Sequence, residues 1–316
     1  MDISLSGRQI SAFKTFPEFS KLTIEDKHAY EVIINDFPPV AEISFASLLT
    51  WWNFLDSCSV SQLNGNLIIS YWLPGDEKNS GLSLVGTQNV DDSICTVFDY
   101  LREQKEPVRF VHVPEFVVGC MKYPELFTYI SEPDYDEGVY AISNFYPLKR
   151  ATKHVHSKIE KFLSKVEEKQ VSVRSLDFRL KANRDLLLEC SNRWYKKGTI
   201  NDIAKIDREA FKTVMTHAEA LDIENVCLYI DDELAGFQLY QTPADKRYII
   251  ATFIKVDYSI PGLFEYMLHI CAKRFGEQGA TYINFEQDLG IPRLRAEKLA
   301  LGPINYFRKY TIEPAS

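Results

Sequence analysis

The order of elements along the chain predicts an α/β (α+β) protein of two similar domains in tandem, each a mixed sheet flanked by helices. Three observations lead there. The order strand, helix, helix, hairpin, strand, helix, strand, helix, strand can be traced twice through the 316 residues, although the halves show no sequence self-similarity. Each half has a hairpin signal of its own at the corresponding place. With 46% hydrophobic and 13% aromatic content, a chain of this length can bury two cores of ordinary domain size. The division is expected at 148/149, giving domains 1–148 and 149–316.

The first half opens with a strand signal from Ser11 to Phe16. Thr23 with Asp26 then marks a helix start, Ala29, Tyr30, Ile33 and Ile34 recur at helical spacing, and Phe37-Pro38-Pro39 stops the helix after about Asn35. Ser44 is placed to cap a second helix through Trp52. Asn64-Gly65-Asn66, between SVSQL and LIISYWL, is the strongest short hairpin signal in the chain. GLSLVG, Val108–Val113 and Phe127–Ile130 read as strands, with a helix from Val90 to Gln104 and a short one after Pro114.

Residues 149–184 form a basic connector with 11 Lys and Arg against 4 Asp and Glu. Val155, Ile159, Phe162 and Val166 fall at spacings of four and three, which predicts an amphipathic helix with Lys153, Lys158, Lys161 and Lys165 off its apolar stripe. Two readings stay open, a solvated basic helix and a face that receives a polyanion. The second half then gives a strand (Val171–Leu176), helices over Lys181–Lys197 and Asp202–Leu221, and a hairpin turning at Asp231-Asp232-Glu233. A strand (Tyr248–Lys255), a helix (Pro261–Phe275), a strand from Tyr282, a helix from Pro292 and a last strand (Tyr306–Ile312) complete it.

The candidate site is Tyr282–Lys298, YINFEQDLGIPRLRAEK. An apolar strand leads into Asn284, Glu286 and Asp288; Gly290 breaks it, and Pro292 opens a helix with Leu294 and Leu299 expected inward and Arg293, Arg295 and Lys298 outward. A helix start followed by two arginines and a lysine is a seat for a phosphate or carboxylate. Its alternative is a solvated helix face capped by Asp288. Arg295 is the expected anion holder, because a planar guanidinium grips with two parallel hydrogen bonds; the competing reading pairs it with Glu286 or Asp288.

The same stretch, Asn-x-x-x-Asp-Leu-Gly followed after two residues by Arg-Leu-Arg-Ala-x-Lys, resembles the C-terminal domain of phosphatidylglycerol lysyltransferase and its soluble relatives. So does the run LTIEDKHAYEVIINDFPPVAEISFASLLTWW, through Leu22, Asp26, Pro38, Pro39, Ser44, Phe45, Leu49 and Trp51. The resemblance covers nearly the whole chain and implies two domains of the GNAT acyltransferase fold, with aminoacyl transfer from a charged tRNA to a lipid in characterised members. It reaches Asn284, Asp288, Arg293, Arg295 and Lys298 residue by residue. KHVHSKIEKF stands where the family often has a Lys-Arg-Asn run, and no stretch resembles its membrane-embedded half; both departures weaken any carry-over of the lipid substrate.

Chemistry and charge narrow the rest. Acyl-CoA users of this fold seat the pyrophosphate on a Gly-rich turn before the helix that follows the fourth strand. Here that turn is VDYSIPG, with Asp257 beside a single Gly262, and in the first half Gly86 is followed by Asp91 and Asp92. No cofactor is therefore expected, and an acyl-CoA-dependent N-acyltransferase is the second reading. An aminoacyl-tRNA donor instead needs a basic surface and a pocket that aligns ester and amine. Glu286 or Asp288 would hold or deprotonate the amine; Lys255, Arg293, Arg295 and Lys298 would stabilise negative charge. The acceptor would be a small molecule, a peptide or a lipid headgroup. A third reading is a non-catalytic binder of an anionic ligand.

The net charge of −8 is uneven, 9 Lys and Arg against 21 Asp and Glu in 1–148 but 27 against 23 in 149–316, which places any polyanion on the second half. Cys58, Cys95, Cys120, Cys190, Cys227 and Cys271 lack metal-ligand spacing and are expected as reduced core residues; no metal is expected, and His154 and His156 read as a surface pair. No apolar run approaches the roughly 20 residues of a membrane helix, and MDISLSGRQI lacks a signal-peptide core, so a cytoplasmic protein is expected.

Overall fold

A computed structural model describes residues 12–52, 58–71, 80–197 and 202–315. The chain separates into two compact units, Met1–Glu137 with Phe307–Ser316, and Gly138–Tyr306. Each holds a seven-stranded mixed sheet with helices.

Unit 1 contains β1 (Ser20–Lys21), α1 (Lys27–Ile34), α2 (Phe45–Ser47), β2 (Cys58–Leu63), β3 (Asn66–Tyr71), β4 (Gly81–Val85), α3 (Val90–Gln104), β5 (Phe110–Pro114), α4 (Glu115–Val118) and β6 (Phe127–Ser131), closed by β14 (Lys309–Pro314). Its sheet order is β1-β2-β3-β4-β5-β14-β6. The Asn64-Gly65 turn joins β2 to β3 with both residues at positive φ, 51° and 83°, as a two-residue hairpin requires. Ser44 caps α2, its hydroxyl oxygen accepting from the Ser47 N–H, and the chain runs on as a π-helix from Leu48 to Trp52. On α3, Val90, Ile94, Val97, Phe98 and Leu101 lie on one stripe and bury against Phe110, Val113 and Ile312. The expected first strand begins at Ser11, outside the described residues. Within them its remainder makes only an isolated bridge from Thr15 to Gln62. Trp72 and Leu73 of the third strand signal also lie outside.

Unit 2 contains β7 (Glu137–Ala141), α5 (Lys153–Lys165), β8 (Val171–Arg174), α6 (Lys181–Lys197), α7 (Asp202–His217), β9 (Glu224–Ile230), β10 (Glu233–Gln241), β11 (Tyr248–Val256), α8 (Leu263–Glu277), β12 (Tyr282–Gln287), α9 (Pro292–Ala300) and β13 (Asn305–Phe307). Its sheet order is β13-β7-β12-β11-β10-β9-β8. The β9–β10 turn is Asp231-Asp232, both at positive φ (51° and 63°), so Glu233 already belongs to the strand. Val155, Ile159 and Phe162 of α5 are buried in one core with Leu263, Met267 and Cys271 of α8.

The expected division at 148/149 thus differs from the structural one. The segment Tyr306–Ile312, one strand in the sequence, is two: β13 joins the second sheet, and β14 returns to the first between β5 and β6. In the second sheet the strand beside β12 is β7, five residues that follow β6 directly in sequence order. Each sheet is therefore completed by a strand that sequence order would assign to the other half. The charge asymmetry survives the new division, with 11 Lys and Arg against 22 Asp and Glu in unit 1 and 25 against 22 in unit 2. Four of the six free cysteines are buried, while Cys95 is exposed and Cys120 intermediate. No helix among the described residues is long and apolar enough to cross a membrane.

Candidate active site in the second unit

Strands β11 and β12 run parallel, but their register pairs Tyr248–Ile250 with Tyr282–Asn284 and stops, although both strands continue. Two local features drive them apart. On β11, Thr252 is skipped in the ladder to β10 (Leu239 pairs with Phe253, Tyr240 with Ala251), a bulge that re-aims the strand. On β12, Glu286 sits at φ 58°, a left-handed conformation that costs a residue with a Cβ and persists only where its surroundings enforce it. The result is an opening at the C-terminal ends of two parallel strands, where open α/β sheets place their ligands.

The enforcing contacts come from the predicted motif. Asn284 is fully buried, and its side-chain oxygen accepts from the Glu286 N–H at 2.8 Å. Lys298, on α9, donates to the carbonyls of Phe285, Glu286 and Gln287 at 2.7, 2.9 and 2.6 Å, an acceptor for each of its three N–H donors. Asp288 accepts from the Gly290 N–H at 2.9 Å and is gripped by Arg295 in a fork, Nε to Oδ2 at 2.9 Å and Nη2 to Oδ1 at 2.7 Å. Asn284, Glu286, Asp288, Arg295 and Lys298 thus come together around one turn. Arg295 has the Asp288 pairing set out above as its competing reading, and Lys298 holds the β12 backbone.

This arrangement changes the expected face of α9 at Leu299, Arg295 and Lys298, while Leu294 inward and Arg293 outward stand as expected. Leu299 is 55% exposed and no α9 residue is fully buried, whereas Leu294, Arg295 and Lys298 turn inward. The β12 carbonyls and Asp288 need donors, and a leucine offers none. Arg293 stands outside, paired with Glu297 one turn on. Lys255 lies on β11, two residues past Phe253, whose ring packs on Phe211 of α7; its ammonium pairs with Asp207 of α7 and lies 5.6 Å from the Phe253 ring centroid. Asp207 is a member of the site neighbourhood that no motif in the sequence flags. Phe285 points the other way, into the core against Tyr140 and Phe145.

The turns expected to seat a pyrophosphate are crowded in both units, by different means. In unit 2, Gly262 precedes α8 at φ 76°, and a Cβ there would lie 2.0 Å from the Lys158 carbonyl oxygen, so α5 backs directly onto the helix start. Glu265 in the first turn is buried and pairs with His154 at 3.4 Å, and Asp257 caps Ser259. In unit 1, the buried Asn66 side chain fills the turn before α3. It donates to the Gln88 carbonyl at 2.5 Å and accepts from the Gln88 N–H at 3.1 Å, and its oxygen stands where a Cβ on Gly86 would be. Asp91 is buried and accepts from the N–H groups of Lys122 and Tyr123 at 2.9 and 3.0 Å.

Unit 1 carries a second break that sequence reasoning missed. Its parallel strands β4 and β5 pair at Leu82 and Phe110, and two residues on, His112 sits at φ 54°. In unit 2 the last pair is Ile250 with Asn284, and two residues on is Glu286. His112 is sealed. Its Nδ1 and backbone N–H both meet Glu132, at 2.9 and 3.0 Å, the Ser83 hydroxyl donates to its carbonyl, and Tyr135 packs on its ring at 4.2 Å. Burial pulls its pKa down, but Glu42 and the hydrogen-bonded Glu132 outweigh that and hold it above the ordinary histidine range. Close by in the sequence of strands, Lys309 of β14 is fully buried with Glu42 and with Glu137 (2.8 Å), whose carboxylate also takes the N–H groups of Ala41 and Glu42. Among the described residues, no three His, Cys, Asp or Glu side chains are grouped to hold a metal.

A family model described as phosphatidylglycerol lysyltransferase, C-terminal, matches residues 40–313. No curated protein matches the sequence. Among solved structures, a conserved protein of unknown function from Bacteroides thetaiotaomicron VPI-5482 is 20% identical with a TM-score of 0.78, covering 93% of this chain and 98% of that one. FemX is 10% identical with a TM-score of 0.56, over 94% and 97%. L-PGS from Bacillus licheniformis is 14% identical with a TM-score of 0.54, over 85% and 87%. At these identities the likeness is one of fold, two GNAT-like domains in tandem.

Proposed function

Because the chain belongs to the phosphatidylglycerol lysyltransferase C-terminal family, we propose that it moves an aminoacyl group from a charged tRNA to an amine or hydroxyl acceptor, with unit 2 catalytic. Family and fold support a GNAT-like acyltransferase. The observation that carries the finer reading is the parting of β11 and β12, bordered by half-buried Glu286, together with the crowding of α8's start by α5 at Gly262. The first offers a place for an ester; the second disfavours acyl-CoA.

In this reading the acceptor amine attacks the ester carbonyl, a C–N bond forms, and the C–O bond to the terminal ribose breaks. Glu286 accepts the proton lost by the amine and delivers it to the ribose oxygen as the C–O bond breaks. N–H groups of β11 past Ile250, on the edge that β12 has left, face the oxyanion. Asn284, Lys298, Arg295 and Asp288 act one step removed, by holding Glu286 in its left-handed conformation. Arg293, exposed and held only by a surface pair, is available to a phosphate at little cost, about 0.3–0.5 kcal/mol.

The tRNA backbone falls to α5 and the turn before it. Lys149, Arg150, Lys153, Lys161 and Lys165 are exposed and in no ion pair among the described residues, unlike Lys255, Arg293 and Arg295. The apolar stripe of α5 is buried in the unit 2 core and so unavailable to a bilayer, which favours phosphate contact in the cytoplasm over membrane insertion. A small molecule, a peptide or a lipid headgroup fits the acceptor role equally. The test is incubation with charged tRNA at low salt. Accelerated loss or transfer of the amino acid is expected. If tRNA binds but keeps its amino acid, a binding protein is the answer; if only acyl-CoA is turned over, the second reading replaces this one.

A further inference from the structure

The strand β7 pairs beside β12 and carries Tyr140, a residue outside the motif that forms the site. Tyr140 is 1% exposed, and its hydroxyl donates to the backbone carbonyl of Lys298 at 3.1 Å. Its ring meets Phe285 edge-on, with centroids 5.0 Å apart and planes 62° from parallel. Phe285 directly precedes Glu286, and the Lys298 ammonium donates to the carbonyls of Phe285, Glu286 and Gln287. One side chain therefore touches both the strand that bends and the helix residue that holds the bend. Gly138, two residues earlier on the same face of β7, makes room for it: a Cβ there would lie 2.8 Å from the Tyr140 hydroxyl oxygen and 2.9 Å from its ring.

The contact bears on α9 because of how that helix is held. It is nine residues long with none fully buried, so its place depends on hydrogen bonds more than on apolar packing. At its C-terminal end the Gly302 N–H goes to Leu299, which leaves the Lys298 carbonyl to the Leu301 N–H at 3.2 Å and to Tyr140. The Asn144 side-chain amide, from the turn after β7, donates to the next carbonyls, Leu301 at 3.2 Å and Gly302 at 2.5 Å. A lysine stem is flexible, so its ammonium stays on three carbonyls only while its own backbone is fixed. We propose, on the reading of Glu286 as the base of an aminoacyl transfer, that Tyr140 is a positioning residue for that step. Its hydroxyl fixes Lys298, Lys298 fixes the left-handed Glu286, and the line from carboxylate to amine follows. Without the hydroxyl the last turn of α9 shifts, the bend relaxes toward extended backbone, and proton transfer slows while substrate still binds.

Tyr140→Phe keeps the ring on Phe285 and removes the hydroxyl, whereas Gly138→Ala keeps the hydroxyl and crowds it off the carbonyl. Single-turnover transfer from charged tRNA, normalised to folded protein, is measured for both, for wild type, for Glu286→Gln and for the double variant of Tyr140→Phe with Glu286→Gln. Tyr140→Phe and Gly138→Ala should each transfer roughly 10- to 100-fold more slowly at saturating tRNA, with half-saturation unchanged. The double variant should be no slower than Glu286→Gln, because the hydroxyl acts only through that carboxylate. If wild type transfers and Tyr140→Phe transfers as fast, or if the double variant loses the full further factor, only this inference falls. A second readout needs no activity. The Glu286 N–H, bonded to Asn284 at 2.8 Å, should gain roughly 10-fold in deuterium exchange over the mid-sheet Phe237 N–H when the hydroxyl is removed. If wild type transfers nothing from charged tRNA, the aminoacyl reading falls and this exchange alone decides whether Tyr140 holds the bend. Equal acceleration of the two N–H groups, or none, overturns it.

Discussion

Strand β5 in unit 1 and strand β12 in unit 2 bend at the same place, two residues past their last parallel pair, through His112 and Glu286 at φ 54° and 58°. What surrounds the bend differs. His112 is 1% exposed and fixed by Glu132, Ser83 and Tyr135. Glu286 is half-buried, its backbone fixed by Asn284 and Lys298. One bend is packed on all sides by side chains, and the other is held through its backbone with its side chain half-buried. The comparison teaches that the same strained bend can be kept in two GNAT-like sheets in different surroundings, and that burial around the bend is the feature separating the two.

The largest effect should come from breaking the filled side. Lys309→Met leaves the Glu42 and Glu137 carboxylates buried without their countercharge, which should cost about 3–5 kcal/mol in chemical denaturation. A loss under about 1 kcal/mol, no more than an exposed ion pair is worth, would mean water reaches the cluster and the contrast between the units is weaker than drawn. A smaller effect sharpens the same contrast at the turn before α3. Asp91→Ala removes a buried acceptor of two N–H groups and should cost about 1–3 kcal/mol. Asp92→Ala, at an exposed position, should fall within about 0.5 kcal/mol, and neither should change turnover per folded molecule. The two aspartates read alike in the sequence, as a pair repelling phosphate. One of them is a fold residue.

Much of this fold is legible in the sequence because local rules act over short spans. The Asn64-Gly65 and Asp231-Asp232 turns, α3 from its apolar stripe, and α9 from Pro292 follow from φ preferences and periodicity. The exchange of β7 and β14 does not. EGVYA opens on Glu137-Gly138 straight after the acidic run Asp134-Tyr135-Asp136, which reads as a turn, and Tyr306–Ile312 reads as continuous because Arg308 and Lys309 look like solvent-facing residues, whereas Lys309 is fully buried. At the site, the motif's gathering of Asn284 to Lys298 was legible. The inward turn of Arg295 and Lys298 was not, since α9 packs against backbone carbonyls and a carboxylate rather than apolar side chains.

The central claim is that the same bend is catalytic in unit 2 and structural in unit 1. It is tested by single-turnover transfer from charged tRNA, normalised to folded protein, in Glu286→Gln and His112→Gln. Removal of a general base predicts a fall of about 10²- to 10⁴-fold for Glu286→Gln with its melting temperature nearly unchanged. His112→Gln should lose stability and keep its rate within a few-fold. A Glu286→Gln protein that transfers as fast as wild type, or a His112→Gln protein whose rate per folded molecule falls as far, would contradict the account.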